Sequence, residues 1–384
     1  MQINQSQRFD NLYIVRFFLA YALIIFHAYT GWKENFGSPS FVLNEAGTHF
    51  SVMGEYIERV IHNFSLGGDV FFLISGFLIT MILLKEQDET GDIKIRGFYI
   101  RRALRILPLY FLVLAASPIF STFMHEKVPN YPYWFFLIGN LDLAYNGWGP
   151  ISINYLWYTA IELQFYLLIP IALVIIRRKH LPLFFIFIIF LSFVFRISAF
   201  HSATPWNLIY LHTLSRMDVL AIGSWLGLIL HQRKSQVLYN AFPMRLMLYF
   251  IFFYLLFVDE YADYSNIFYA TTKKYTYILL CSYFIANYLF NPSARLVPQK
   301  KNLLHHFGKI TFGLYIFSNL AVAVMIYFSK TYPELKNFWI YFTIVNILAI
   351  SAALFSYKFI ELPIRNLKQF FIKKSPITKT EQVL

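Results

Sequence analysis

The chain has 384 residues, 58% of them hydrophobic, 20% aromatic and only 14% charged, against roughly 25% charged in an ordinary soluble domain. That composition excludes a water-soluble enzyme. The formal net charge of +13 would point to nucleic acid in a soluble chain, but here the basic residues separate long apolar runs, so a membrane protein is expected and no nucleic-acid partner.

A spanning helix needs about 20 largely apolar residues. Ten such runs follow in order, near 11–30, 65–84, 104–123, 157–176, 181–200, 214–230, 244–258, 275–290, 308–328 and 338–357. They must be helices, because an unclosed strand leaves backbone groups unpaired in lipid; the expected fold is an all-α polytopic membrane protein. Arg16 interrupts the first run and no small-residue cleavage site follows Thr30, so this run is expected to be retained and not cleaved as a signal peptide. The polar stretch from Gly31 to Phe64 is the largest outward-facing feature. Tyr131–Tyr145, short and carrying Pro132, reads as a re-entrant or interfacial segment. Its Tyr131, Tyr133 and Trp134, with Trp32, are either sugar-stacking rings or an interfacial aromatic belt. The lone Cys281, within an apolar run, excludes a disulfide framework and a cysteine-rich metal site. No metal is expected.

No repeat and no long connection divides the chain, so residues 1–365 form one transmembrane domain and 366–384 a basic tail. The tail either lies along an anionic leaflet through Leu367, Phe370 and Phe371 or, from residue 375, is disordered. Alternate connections hold Lys85, Lys94, Arg96, Arg101, Arg102 and Arg105, then Arg177, Arg178 and Lys179, then Arg233, Lys234 and Arg245, then Arg295, Lys300, Lys301 and Lys309. The others are poorer in cations and include Asp259, Glu260 and Asp263. The excess marks the cytoplasmic side, which places both termini there.

Ionisable residues inside a span cost a few kcal/mol and usually face a polar cavity. Arg196 lies near the outward end of its span, where it can snorkel. Arg16 and His27 are eleven residues apart on one helix, within about 20° of the same face and roughly 16 Å apart along its axis. His27, Asp69, Glu162, Arg216 and Asp218 all fall in the outer third, a layer suited to proton transfer, with Arg16, Arg102 and Arg105 below it. Arg216 and Asp218 also read as ion pairs that only join helices. Arg102 and Arg105, at i and i+3, also read as an orientation signal alone.

At this point a resemblance covers nearly the whole chain. RFDNLYIVRFFLAYALIIFH (8–27) is similar to the first-helix signature of the membrane-bound acyltransferase 3 family of bacterial cell-envelope acyltransferases, whose Arg and His here are Arg16 and His27. GGDVFFLISGFLIT (67–80), FYIRRALRILPLY (98–110) and LWYTAIELQFYLLIP (156–170) resemble its second-, third- and Trp-to-Pro helix motifs. SRMDVLAIGSWLG (215–227), FGKITFGLYIFS (307–318) and SYKFIELPIRN (356–366) match less closely, and Ser318 stands where many members have His.

The resemblance implies a multi-pass protein of the bacterial cytoplasmic (inner) membrane. Its implied activity is transfer of an acyl group, usually acetyl from acetyl-CoA, to a hydroxyl of an envelope glycan or lipid-linked glycan such as O-antigen, capsule or exopolysaccharide. Some members carry a fused hydrolase-like domain, a step for which this chain would need a partner protein. The candidate catalytic residues are His27, Glu162 and Asp69, with His27 as general base oriented by either carboxylate, or as an acyl carrier. Arg16, Arg102 and Arg105 are assigned to acetyl-CoA, and Arg216, Asp218 and Trp157 to the acceptor. A transporter or flippase, or a non-catalytic subunit of a polysaccharide assembly machine, is the rival; no matched pair of broken spans suggests the inverted repeats of a transporter.

Overall fold

The computed structural model describes residues 11–44, 46–47, 49–202, 205–232, 242–258, 273–290 and 303–371. Arg8, the acidic run at 259–263, the cations between 233 and 234 and between 295 and 301, and the tail from 372 lie outside the described residues. Helices form at all ten expected runs. The long ones are α1 (Leu12–Phe36), α3 (Leu66–Thr90), α4 (Ile95–Phe123), α5 (Leu156–Ile175), α6 (Leu181–Phe200), α7 (Thr213–His231), α8 (Phe242–Val258), α9 (Lys274–Phe290), α10 (Thr311–Thr331) and α11 (Phe338–Ser356), with α2 (Val52–Asn63) between α1 and α3. Among the described residues there is no strand, only one isolated bridge between Leu43 and Phe50. Among the described residues eight helical stretches are long and apolar enough to cross a membrane, whereas α8 and α9 have 17 described residues each.

Apolar side chains on the outer faces of α6, α8 and α11, among them Phe187, Phe190, Phe250, Phe253, Leu348 and Phe355, are exposed. Faces of that extent are disfavoured in water and suit lipid. Helix ends depart from the apolar limits because helical backbone continues into polar sequence. α3 runs on through Lys85-Glu-Gln-Asp-Glu-Thr90 to a left-handed Gly91, and α4 begins at Ile95, well before its apolar core. The Gly31–Phe64 stretch is correspondingly less of a loop than expected. It contains the last turn of α1 and all of α2, whose Ser51 accepts from the Gly54 N–H at 2.9 Å. Tyr131–Tyr145 folds as two short helices, Tyr131–Phe135 and Gly139–Asn146, around a buried Trp134 whose carbonyl accepts from Tyr110.

Lipid supplies no hydrophobic drive between helices, so close packing of small residues decides which pairs form. The tightest crossing is α3 with α7. A Cβ on Gly76 would lie 2.1 Å from the Leu220 carbonyl oxygen, and one on Gly223 2.1 Å from that of Leu73. Gly227, one turn on, approaches Phe77 in the same way. Gly223→Ala is therefore expected to force the helices apart at a cost of about 1–3 kcal/mol, seen as a lower midpoint of thermal unfolding in detergent. An unchanged midpoint would mean the crossing is looser than this. α1, α10 and α11 form a second group around Ala28, Trp32, Val322 and Tyr341, with the Tyr341 hydroxyl donating to the Ala28 carbonyl at 3.2 Å.

Candidate active site

α1, α3, α5, α7 and α10 enclose a cavity of about 810 Å³, within the usual range for ligand sites. His27, Arg16, Asp69, Glu162, Arg216 and Trp157 all line it. Six residues from four spans and up to 200 positions apart thus meet at one space. Asp218, Arg102 and Arg105 do not line it.

α1 supplies both residues of the eleven-residue spacing. Arg16 and His27 project onto the cavity about three turns apart, and among the described residues neither side chain forms a hydrogen bond or salt bridge. The Arg16 Nε is buried without a partner. A guanidinium in a protein interior normally meets a carboxylate or an anion; Glu162 is within electrostatic reach of Arg16 but no salt bridge joins them among the described residues, which leaves the guanidinium able to take a negatively charged ligand. Arg105 is close enough to act on Arg16 electrostatically, which connects the cavity to the basic start of α4.

The two carboxylates are engaged elsewhere than on His27. Arg216 Nη1 donates to both oxygens of Asp69, at 3.0 and 2.9 Å, with both side chains buried. The same guanidinium lies 4.5 Å from the Tyr210 ring centre and 5.8 Å from that of Trp157, and its Nε donates to the Tyr210 carbonyl at 2.7 Å. Glu162 accepts from the hydroxyls of Ser75 and Tyr166. The expected orientation of His27 by Asp69 or Glu162 is therefore not a direct hydrogen bond: Arg216 holds the first and two hydroxyls hold the second.

Asp218 occupies a different place from the one expected for an acceptor residue. It is fully buried, bonded to Arg196 Nη1 at 2.7 Å and to Lys274 Nζ at 3.0 Å. Two residues along a helix turn the side chain by about 200°, so Asp218 points away when Arg216 points in. Arg196, expected to snorkel, is instead 0% exposed, donating also to the Ser215 carbonyl and the Tyr275 hydroxyl. Lys274, the first residue of α9, is buried against the same carboxylate.

Arg102 and Arg105 line a second, small pocket at the start of α4. Ser318 donates to the Tyr315 carbonyl and is not a lining residue of the main cavity. Residues overlooked in the sequence include His62, which lines the cavity and lies 3.1 Å from Glu58. Glu58 also accepts from Tyr29 and Lys33. The i, i+4 spacing of Glu58 and His62 was the available signal. Tyr158 was overlooked too. Its ring stacks on Phe72 at 3.9 Å, and its buried hydroxyl, on the cavity wall, has no partner among the described residues. Among the described residues no cluster of His, Cys, Asp and Glu is arranged for a metal ion.

A family model described as "Acyltransferase domain" matches residues 9–358. The Staphylococcus aureus (strain COL) protein named "Putative O-acetyltransferase SACOL0978" is 29% identical over 331 residues, covering 78% of this chain and 52% of that protein. The Listeria monocytogenes "Peptidoglycan O-acetyltransferase OatA" is 28% identical over 224 residues, 52% of this chain and 36% of its own length. The Bacillus subtilis "Putative peptidoglycan O-acetyltransferase YrhL" is 26% identical over 356 residues, 82% of this chain and 53% of its own length. The chain thus spans about half the length of the first of these relatives. No solved structure matches it.

Proposed function

The chain belongs to the acyltransferase family whose domain model it matches over residues 9–358, and we propose that it moves an acetyl group from acetyl-CoA to a hydroxyl of an envelope glycan. The observation that carries this reading is the pairing on α1: Arg16 and His27 face one cavity, about 16 Å apart, and among the described residues neither side chain forms a hydrogen bond or salt bridge. That span is comparable to an extended pantetheine arm. Acetyl-CoA docks by its phosphates at the basic start of α4, its arm passes Arg16, and the thioester reaches His27. The abundance of Lys and Arg in alternate connections supports cytoplasmic termini and a bacterial inner membrane, with the donor entering from the cytoplasm and the glycan from outside.

The acceptor hydroxyl gives its proton to the His27 imidazole as its oxygen bonds to the thioester carbon. The C–S bond then breaks and the CoA thiolate takes the proton back from the imidazolium. Tyr158, with an unbonded hydroxyl on the cavity wall, supplies a donor for the carbonyl oxygen as charge develops there. Asp69 acts through Arg216, which it holds over Tyr210 and Trp157 as a wall for the sugar. The Listeria relative is named for peptidoglycan, which makes peptidoglycan the first acceptor to test.

Purified protein in lipid nanodiscs, given labelled acetyl-CoA and peptidoglycan fragments, is expected to release free CoA and transfer label to the glycan; neither event at millimolar donor would overturn the reading. Arg16→Ala is expected to raise the KM for acetyl-CoA by about tenfold or more, the loss of a charge-assisted hydrogen bond. An unchanged KM would remove Arg16 from the donor path.

A further inference from the structure

The sequence SYKFIELPIRN has no place on the main cavity, yet it takes a specific position. After Ser356 the last span does not stop. A π-turn over Tyr357–Glu361 leads into Leu362–Asn366, which carries Pro363, and then Lys368–Phe371. A π-turn shifts the register of every side chain after it and is frequent at functional sites. Glu361 within it is buried, accepts from Ser356 at 3.3 Å, and lies where α10 comes close at Gly313.

The turn brings Arg365 and Lys368 against the start of α4, where they line a small pocket of about 60 Å³ with Arg101, Arg102, Arg105 and Phe98. Five cations therefore surround one small space. Three carboxylates are near: Glu86, 3.7 Å from Arg101, Glu361, within electrostatic reach of Arg105 and Arg365, and Glu162, within reach of Arg102. Five against three leaves an excess of two positive charges. Arg102 rests on the rings of Phe98 and Tyr166, and among the described residues Arg102, Arg105, Arg365 and Lys368 form no salt bridge. Crowded cations in excess of the carboxylates around them are unfavourable, and guanidinium forks match phosphate oxygens. Arg105, on the pocket wall, is also within electrostatic reach of Arg16 at the main cavity.

We propose that this pocket seats a phosphate group of the acyl donor's nucleotide end, with Arg365 and Lys368, delivered by the π-turn, as donor-binding residues. The inference rests on the acetyl-CoA reading above. The pocket's volume suits one compact oxyanion, so the nucleoside lies outside it. A phospholipid headgroup offers the same chemistry, and the experiment separates the two.

The full chain in phosphatidylcholine nanodiscs is titrated with acetyl-CoA and with S-acetylpantetheine, which has the same thioester arm and no phosphate. The unaltered protein is expected to bind acetyl-CoA at least about tenfold more tightly. Arg365→Gln with Lys368→Gln is expected to lose most of that preference while its affinity for S-acetylpantetheine is unchanged, which shows that the fold and the arm's channel persist. Lys368→Gln alone, at an exposed position, is expected to lose a few-fold of the preference and guards against misfolding of the double variant. A retained preference in both variants overturns the proposal. So does cardiolipin raising the melting temperature of the unaltered protein but not of the double variant, with the thioester preference intact, because a lipid would then occupy the pocket. No binding of acetyl-CoA by the unaltered protein would overturn the donor reading itself and this proposal with it.

Discussion

His27→Ala is expected to lower acetyl transfer to glycan by about 10²–10⁴, the usual worth of a positioned general base, while the protein remains folded in the membrane. Among the described residues the ring makes no hydrogen bond, and it faces the cavity, so its removal should leave the melting temperature nearly unchanged. Rate of label transfer at saturating acetyl-CoA, read beside thermal unfolding of the same preparation, checks both parts. A variant that keeps its transfer rate removes His27 from the chemistry. Arg16 lies about 16 Å away and should change donor affinity, so the two substitutions divide into a kcat effect and a KM effect.

Asp218→Asn is expected to act on stability instead. The carboxylate neutralises Arg196 and Lys274 in a buried site, and breaking a buried ion pair by removing one partner costs about 3–5 kcal/mol, because the remaining charge is left uncompensated. Removing Lys274 as well, in Asp218→Asn with Lys274→Met, should recover part of the loss, since one of the two stranded cations is gone. With Lys274→Met alone as the fourth form, melting temperatures in detergent make a double-mutant cycle. Additive losses would show that Lys274 is not coupled to Asp218. If Asp218→Asn instead kept full stability and lost transfer, Asp218 would belong to the acceptor site, as its depth in the span first suggested.

The long helices were legible because the length of an apolar run depends on bilayer thickness and not on neighbours. Their ends were less so. Helical backbone persists through polar residues such as Lys85 to Thr90, and the last span continues through a π-turn into Arg365 and Lys368, features that hydropathy does not register. α8 and α9, at 17 described residues each, sit at the limit where length alone no longer decides.

What the sequence determined by itself was depth. The position of a residue along its span places His27, Asp69, Glu162 and Arg216 in one layer, and the rise of a helix sets the Arg16–His27 separation. What only the tertiary structure decided was direction around each helix and the identity of partners. Arg216 and Asp218 share a depth, but a turn of about 200° between them sends one to the cavity with Asp69 and the other into a buried cluster with Arg196 and Lys274. Which face looks inward depends on where neighbouring helices pack, and that depends on contacts such as Gly76 on Leu220 and Gly223 on Leu73, made between segments nearly 150 residues apart.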